Sequence, residues 1–282
     1  MKVGTRDSGL GTRNGKIAAS AGVVGGSAEQ SVQLVLSPTP GFAESRVPSP
    51  ESRQLHLIYG GTFDPIHNGH LAIARAARDA FAVPVRLMPA ADPPHRQAPG
   101  ADARQRCEML ALAIAGEAGL LLDRHELQRA LAQPGVASYS IDTVRELRAE
   151  LGAAAPLALL IGADSLVGFN GWREWRSLLD AVHLVVADRA GSGWERALPA
   201  ELAQALAGRW AASPKALAGT PGGLLWCLRQ PLRSESASQV RARIAAGDDW
   251  AGLVPAAVAD YIRAAGLYTA APAAPAAPAP AS

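Results

Sequence analysis

Between residues 55 and 268, short apolar runs alternate with longer stretches in which apolar residues recur every three or four positions. That is the pattern of buried parallel strands joined by crossover helices. Residues 55–59 read as a first strand, 83–88 as a second, 120–123 as a third, 157–161 as a fourth and the clearest buried one, 183–187 as a fifth and 224–228 as a sixth. Helices are predicted over 69–81, 102–115, 140–151, 174–180, 194–207, 236–246 and 255–265, the last carrying Val258, Ile262 and Ala265 at helical spacing. The predicted fold class is α/β: a doubly wound, mostly parallel, Rossmann-like sheet with helices on both faces and ligands at the carboxyl ends of its strands.

The ends of the chain lack this pattern. Residues 1–53 are Gly, Ser, Pro and Thr without a sustained apolar period, so they cannot bury enough surface to order themselves. They are expected to be a disordered extension, or a stretch read from a start codon assigned too early. Residues 269–282 form an Ala-Pro repeat, expected to be an extended, solvated tail. One folded domain, 54–268, remains.

Composition narrows the class. Hydrophobic residues make up 49% of the 282 but aromatics only 5%, so the core must be aliphatic and its helices closely packed. The net charge of +2, from 27 basic and 25 acidic residues without a long basic run, argues against a nucleic-acid partner. Cys107 and Cys227 belong to no Cys-x-x-Cys pair or metal-ligand spacing and read as small core residues in a reducing cytoplasm. No run approaches the roughly 18 apolar residues of a membrane span. The basic-then-apolar stretch at 2–26 is short and broken by glycine, so no export and no membrane partner are expected. A homo-oligomer stays open, since no periodic seam identifies one.

Chemistry concentrates where the first strand ends, in Gly60-Gly-Thr-Phe-Asp-Pro-Ile-His-Asn-Gly-His70. Gly60 and Gly61 let the backbone approach a ligand, and Thr62 and Phe63 can offer backbone N–H groups to phosphate. A helix opening at Asn68 or Gly69 turns its positive end to an anion. His67 and His70, three apart, can face the same phosphate chain. The spacing is neither a dinucleotide fingerprint nor a P-loop.

This motif resembles that of the nucleotidyltransferase superfamily with a His-x-Gly-His signature, and within it the bacterial nicotinate-nucleotide adenylyltransferases. Six further segments are similar to that family in order: Pro89-Ala-Ala-Asp-Pro-Pro-His-Arg96, Ser138-Tyr-Ser-Ile-Asp-Thr143, Ile161-Gly-Ala-Asp-Ser-Leu166, Trp172-Arg-Glu-Trp175, Ser236-Ala-Ser-Gln-Val-Arg241 and the closing stretch 261–268. The resemblance implies transfer of AMP from ATP to nicotinate mononucleotide, with release of pyrophosphate. It places ATP phosphates on Gly60, Gly61, Thr62 and Phe63, with His67 and His70 donating to the reacting phosphoryl group. It puts the adenosine ribose on Asp164, and Ser236, Ser238 and Arg241 over the outer phosphates. His67, His70 and Arg241 are the implied catalytic groups. On the acceptor side Trp172 stacks on the pyridine ring, backbone amides near Ser140 and Arg173 take its carboxylate, and His95 and Arg96 close on the mononucleotide.

A phosphate monoester is already an anionic nucleophile, so no serine, cysteine or general base is required. Mg²⁺ is expected to arrive with ATP, because no carboxylates cluster into a cage. Three departures from the family pattern stand out: Ser238 in place of Thr, Arg173 in place of a frequent aromatic, and Glu235 in place of Ile, a negative charge beside the expected triphosphate site. Alternative readings are a nicotinamide-mononucleotide or phosphopantetheine acceptor, or a catalytically silent nucleotide sensor.

Overall fold

The computed structural model describes residues 54–91, 100–189, 193–230 and 235–269, so the predicted extension 1–53 and, beyond Thr269, the predicted tail 269–282 lie outside the described residues. Six strands form one sheet: β1 (His56–Gly61), β2 (Val85–Pro89), β3 (Leu120–Leu122), β4 (Leu157–Gly162), β5 (His183–Arg189) and β6 (Leu225–Gln230). Their order is β3-β2-β1-β4-β5-β6 and every pair is parallel. The chain starts in the middle and winds outward twice, so strand order reverses between β1 and β4, the switch point where such sheets bind ligands.

Period-two alternation along the strands supplies two cores. Leu57 and Tyr59 of β1, Ala158 and Leu160 of β4 and Val185 of β5 face one helical layer, built from α1 (Asn68–Phe81), α2 (Ala103–Ala113), α8 (Ala237–Ala246) and α9 (Ala256–Ala264). Ile58, Leu157, Leu159, Ile161, Leu184 and Val186 face the other, built from α4 (Ser140–Leu151), α5 (Ala163–Val167), α6 (Trp175–Ala181) and α7 (Ala200–Leu206). A strand buried on both faces has no polar side to show, which is why 157–161 read so clearly.

Three differences from the predicted elements have local causes. The single helix expected over 194–207 is a 3-10 turn, Trp194–Ala197, followed by α7, because Pro199 has no N–H to continue the first helix and caps the second instead. β2 begins two residues later than expected, after Pro84, which has no N–H to give a ladder. Two helices were not predicted: α5 spans only five residues, and α3 (His125–Ala132) buries none of its residues, so neither leaves a long apolar stripe.

Candidate active site

A cavity of about 920 Å³ opens at the carboxyl ends of β1 and β4. Gly60, Gly61, Thr62, Phe63, His67 and His70 line one part of it, and Ser236, Ser238 and Arg241 meet them from the start of α8. Asp164, exposed near the start of α5, lies along the β4 end. Ser140, Trp172 and Arg173 complete the wall with Tyr139 and Glu126. The residues proposed from sequence are thus brought to one cavity, except His95 and Arg96, which lie outside the described residues.

The β1–α1 turn is held by its own side chains. His67 is the N-cap of α1: its Nδ1 accepts from the His70 N–H, while the His70 Nδ1 accepts from the His67 N–H, both at 3.4 Å. A histidine pair thereby performs the reciprocal capping usually done by a hydroxyl and a carboxylate. Because each Nδ1 is an acceptor, the proton of each neutral ring sits on Nε2. The rings stack, with centroids 3.7 Å apart and planes 29° from parallel. Gly69 is required by that packing, since a β-carbon there would come within 3.0 Å of the His67 ring and 3.2 Å of the Glu235 carbonyl.

Phe63 has a left-handed φ of 51°, a conformation sparsely populated by aromatic residues. Its buried ring holds the turn there, packed edge-on to Tyr59 at 5.4 Å and to His70 at 5.0 Å. Gly61 faces the same ring, which a β-carbon would approach to 3.0 Å, so this glycine answers to Phe63 as well as to any ligand.

Two buried charges of opposite sign fix this turn to its surroundings, and neither was given a role from sequence. The Asp64 carboxylate accepts from the N–H groups of Gly100 and Ala101 at 2.9 and 3.1 Å and from the Tyr268 hydroxyl at 2.7 Å. Arg241 Nη1 donates to the Asp64 carbonyl at 2.6 Å and stands 3.6 Å from its carboxylate. Burial, reinforced by the Asp64 charge, pushes the Tyr268 hydroxyl far above its ordinary pKa, so it stays a donor. Arg106, 1% exposed, donates to the carbonyls of Thr62 (2.8 Å), Ala90, Ala91 (2.7 Å) and Ala101 (3.2 Å). Asp64 was visible within the motif. Arg106 is one of two arginines in α2, and nothing in the sequence marks it as the buried one.

Ser236 caps α8, its hydroxyl accepting from the Gln239 N–H at 3.2 Å, so the amides of a second helix start face the cavity opposite α1. Glu235, the charge flagged in the sequence, is buried and is not among the residues that line the cavity. Trp172 is half-buried and packs on Phe169 at 5.2 Å. Arg173, expected to act only through its backbone, places its guanidinium 4.7 Å from the centre of the Tyr139 ring. Among the described residues no group of three or more His, Cys, Asp or Glu is disposed to hold a metal ion, and no helix is long and apolar enough to cross a membrane.

A doubly wound sheet with two helix starts and a histidine pair converging at its switch point defines a nucleotidyltransferase, and the chain belongs to the cytidylyltransferase-like family, which matches residues 58–243. It shares 58% identity over 214 residues, 76% of this chain and 96% of the other, with a probable nicotinate-nucleotide adenylyltransferase of Stenotrophomonas maltophilia (strain K279a). A protein of the same name from Xylella fastidiosa (strain M23) is 47% identical over the same shares. The particular branch is therefore that of the nicotinate-nucleotide adenylyltransferases. The fold is shared with Plasmodium falciparum nicotinic acid mononucleotide adenylyltransferase complexed with NaAD, at a TM-score of 0.56 and 15% identity over 76% of this chain and 97% of that one.

Proposed function

We propose that the chain transfers AMP from ATP to nicotinate mononucleotide, giving nicotinate adenine dinucleotide and pyrophosphate in NAD biosynthesis. The observation that carries this reading is the reciprocal cap of His67 and His70 facing Ser236 and Arg241 across one cavity. Two helix starts, two Nε2–H donors and a guanidinium suit a polyphosphate, and a site built only for a neutral ligand has no use for them.

An oxygen of the acceptor's phosphate attacks the α-phosphorus of ATP, and the bond from that phosphorus to the β-bridging oxygen breaks. The electron pair leaves with pyrophosphate, and no proton need move at the nucleophile. The residues therefore act by position and charge. His67 and His70 donate to the oxygens of the phosphoryl group in transfer, while Arg241, Ser236 and Ser238 hold the leaving β and γ phosphates. The amides of Gly61, Thr62 and Phe63 bind the phosphate chain beside Gly60, and Asp164 accepts from ribose hydroxyls. Trp172 stacks on the pyridine, with its carboxylate at the amides near Ser140 and Arg173. His95 and Arg96 are assigned to the mononucleotide by motif alone.

Mg²⁺ belongs with the nucleotide in this scheme, where it neutralises phosphate charge. The cavity fits an ion carried by its ligand rather than a resident one, since Asp64 already accepts three hydrogen bonds. The test is pyrophosphate release by the purified protein with ATP and Mg²⁺, comparing nicotinate mononucleotide with its amide. Strong preference for the acid is expected. Preference for the amide would overturn the acceptor assignment, and no release with either would overturn the activity.

A further inference from the structure

The closing stretch 261–268 has no part in the reaction as described above. Its last residue, Tyr268, is half-buried, does not line the cavity and follows α9 in a left-handed conformation, with φ at 63°. A tyrosine keeps such a backbone only where its surroundings over-determine it. Two contacts do so here. The ring lies over Gly100, where a β-carbon would stand 2.9 Å from two of the ring carbons. The hydroxyl donates to Asp64 Oδ1 at 2.7 Å, across 204 residues of chain.

This bond bears on Arg241. A carboxylate beside an arginine ordinarily takes the guanidinium in a two-pronged pair, which turns its donors toward the protein. Here that pair is not made. Oδ1 accepts from the Ala101 N–H as well as from Tyr268, and Oδ2 accepts from the Gly100 N–H. Arg241 Nη1 donates instead to the Asp64 carbonyl at 2.6 Å and stays 3.6 Å from Oδ2. Among the described residues its Nη2 makes one long hydrogen bond, 3.4 Å to the Ser238 hydroxyl. The guanidinium is thus anchored at one end on backbone and lines the cavity with donors left for a ligand. Of the three donors on Asp64, two are amides of adjacent residues, and Tyr268 is the one that comes from elsewhere. Without it Oδ1 keeps a single hydrogen bond, and the carboxylate can turn toward the cation beside it.

We propose that Tyr268 is a positioning residue for AMP transfer: by holding the Asp64 carboxylate it keeps the Arg241 guanidinium from closing on that carboxylate and leaves it for the departing phosphates. This rests on the reaction proposed above. Burial and the Asp64 charge keep the proton on the hydroxyl throughout the neutral range, so the arrangement does not switch with pH.

The experiment measures kcat and KM for nicotinate mononucleotide by pyrophosphate release, each with a thermal melt. It uses the wild-type chain, Tyr268→Phe, Tyr261→Phe, Arg241→Lys and the double variant of Tyr268→Phe with Arg241→Lys. Slow variants are read in single turnover with enzyme in excess. Tyr268→Phe keeps the ring and removes one bond. It is expected to lower kcat by about tenfold, inside the hundredfold that a misplacement of about 1 Å can cost, with KM for nicotinate mononucleotide held within about twofold. Tyr261→Phe removes a hydroxyl that also donates to a carboxylate, that of Glu108, but outside the cavity, and is expected to keep wild-type kinetics. Lysine has no fork to hold the carbonyl and a phosphate together. In the Arg241→Lys background Tyr268→Phe is therefore expected to cost less than about twofold. An unchanged kcat in Tyr268→Phe would overturn the proposal. So would an equal loss in Tyr261→Phe, a full tenfold loss in the Arg241→Lys background, or loss of cooperative melting, because each shows that Tyr268 does not act through Arg241. No pyrophosphate release by the wild-type chain would instead remove the reaction on which the proposal stands.

Discussion

At the scale of single residues, His67 carries two duties that can be separated. It caps α1 through Nδ1, and the same residue lines the cavity. Asparagine is among the best N-cap residues, so His67→Asn preserves the cap while deleting the ring donor. Stability measured by urea unfolding is expected to stay within about 1 kcal/mol of wild type, while kcat falls by about two orders of magnitude, the usual weight of a donor to developing charge. His70→Ala removes a donor and half of the reciprocal cap together, and is expected to lower kcat similarly with a larger loss of stability. Retained activity in a folded His67→Asn chain would take the His67 ring out of the chemistry and leave it as a cap alone.

At the scale of elements, the β1–α1 turn is held to its surroundings by Arg106 of α2, whose guanidinium satisfies four carbonyls from three separate stretches of chain, Thr62 of the turn among them. Lysine offers its donors from one point and must leave some of these buried carbonyls unmatched, at about 1–3 kcal/mol each. Arg106→Lys is accordingly expected to lower unfolding free energy by about 2 kcal/mol and to reduce kcat more than KM for the acceptor, because the Thr62 and Phe63 amides lose their register. A loss of stability with kcat intact would show that α2 supports the fold without tuning the turn.

The same elements show what could be read beforehand. Strands buried on both faces, such as 157–161, and a motif opening a helix, such as 60–70, announce themselves locally. The cavity residues from Gly60 to Arg241 were legible because they sit in ordered segments with family resemblance. Arg106 and Tyr268 were not given roles, because their importance comes from partners far along the chain, Thr62 for the first and Asp64 for the second. α3 is the extreme case: eight residues long with none buried, it is too short for its pattern to stand out, yet it brings Glu126 to the cavity wall.

At the scale of the whole molecule, one buried histidine couples the folding equilibrium to pH. His183 opens β5 with no exposed surface, its Nε2 donating to the Thr220 carbonyl at 2.8 Å and its Nδ1 accepting from the Leu224 N–H at 3.1 Å. It thus joins β5 to the segment entering β6, at the edge of the sheet. Burial holds its pKa below the ordinary 6.5, only partly opposed by the hydrogen bond to Thr220. Protonation would set an Nδ1–H against the Leu224 N–H, so the folded state resists the proton while the unfolded chain accepts it. The unfolded state then binds more protons below pH 6.5, and stability falls as pH falls. The contribution is complete above 6.5 and is lost progressively between that value and the lower folded pKa. Each pH unit in this window costs at most about 1.4 kcal/mol, or about 3–6 °C in melting temperature for a domain of this size. Glutamine can supply both an N–H donor and an oxygen acceptor at this position without titrating. Melts between pH 8 and 5 are expected to show a decline below 6.5 in the wild-type chain and a shallower one in His183→Gln. Equal slopes would show that His183 does not set the response and shift it to His56, the half-buried histidine that opens β1, whose pKa partial burial and Arg86 also lower.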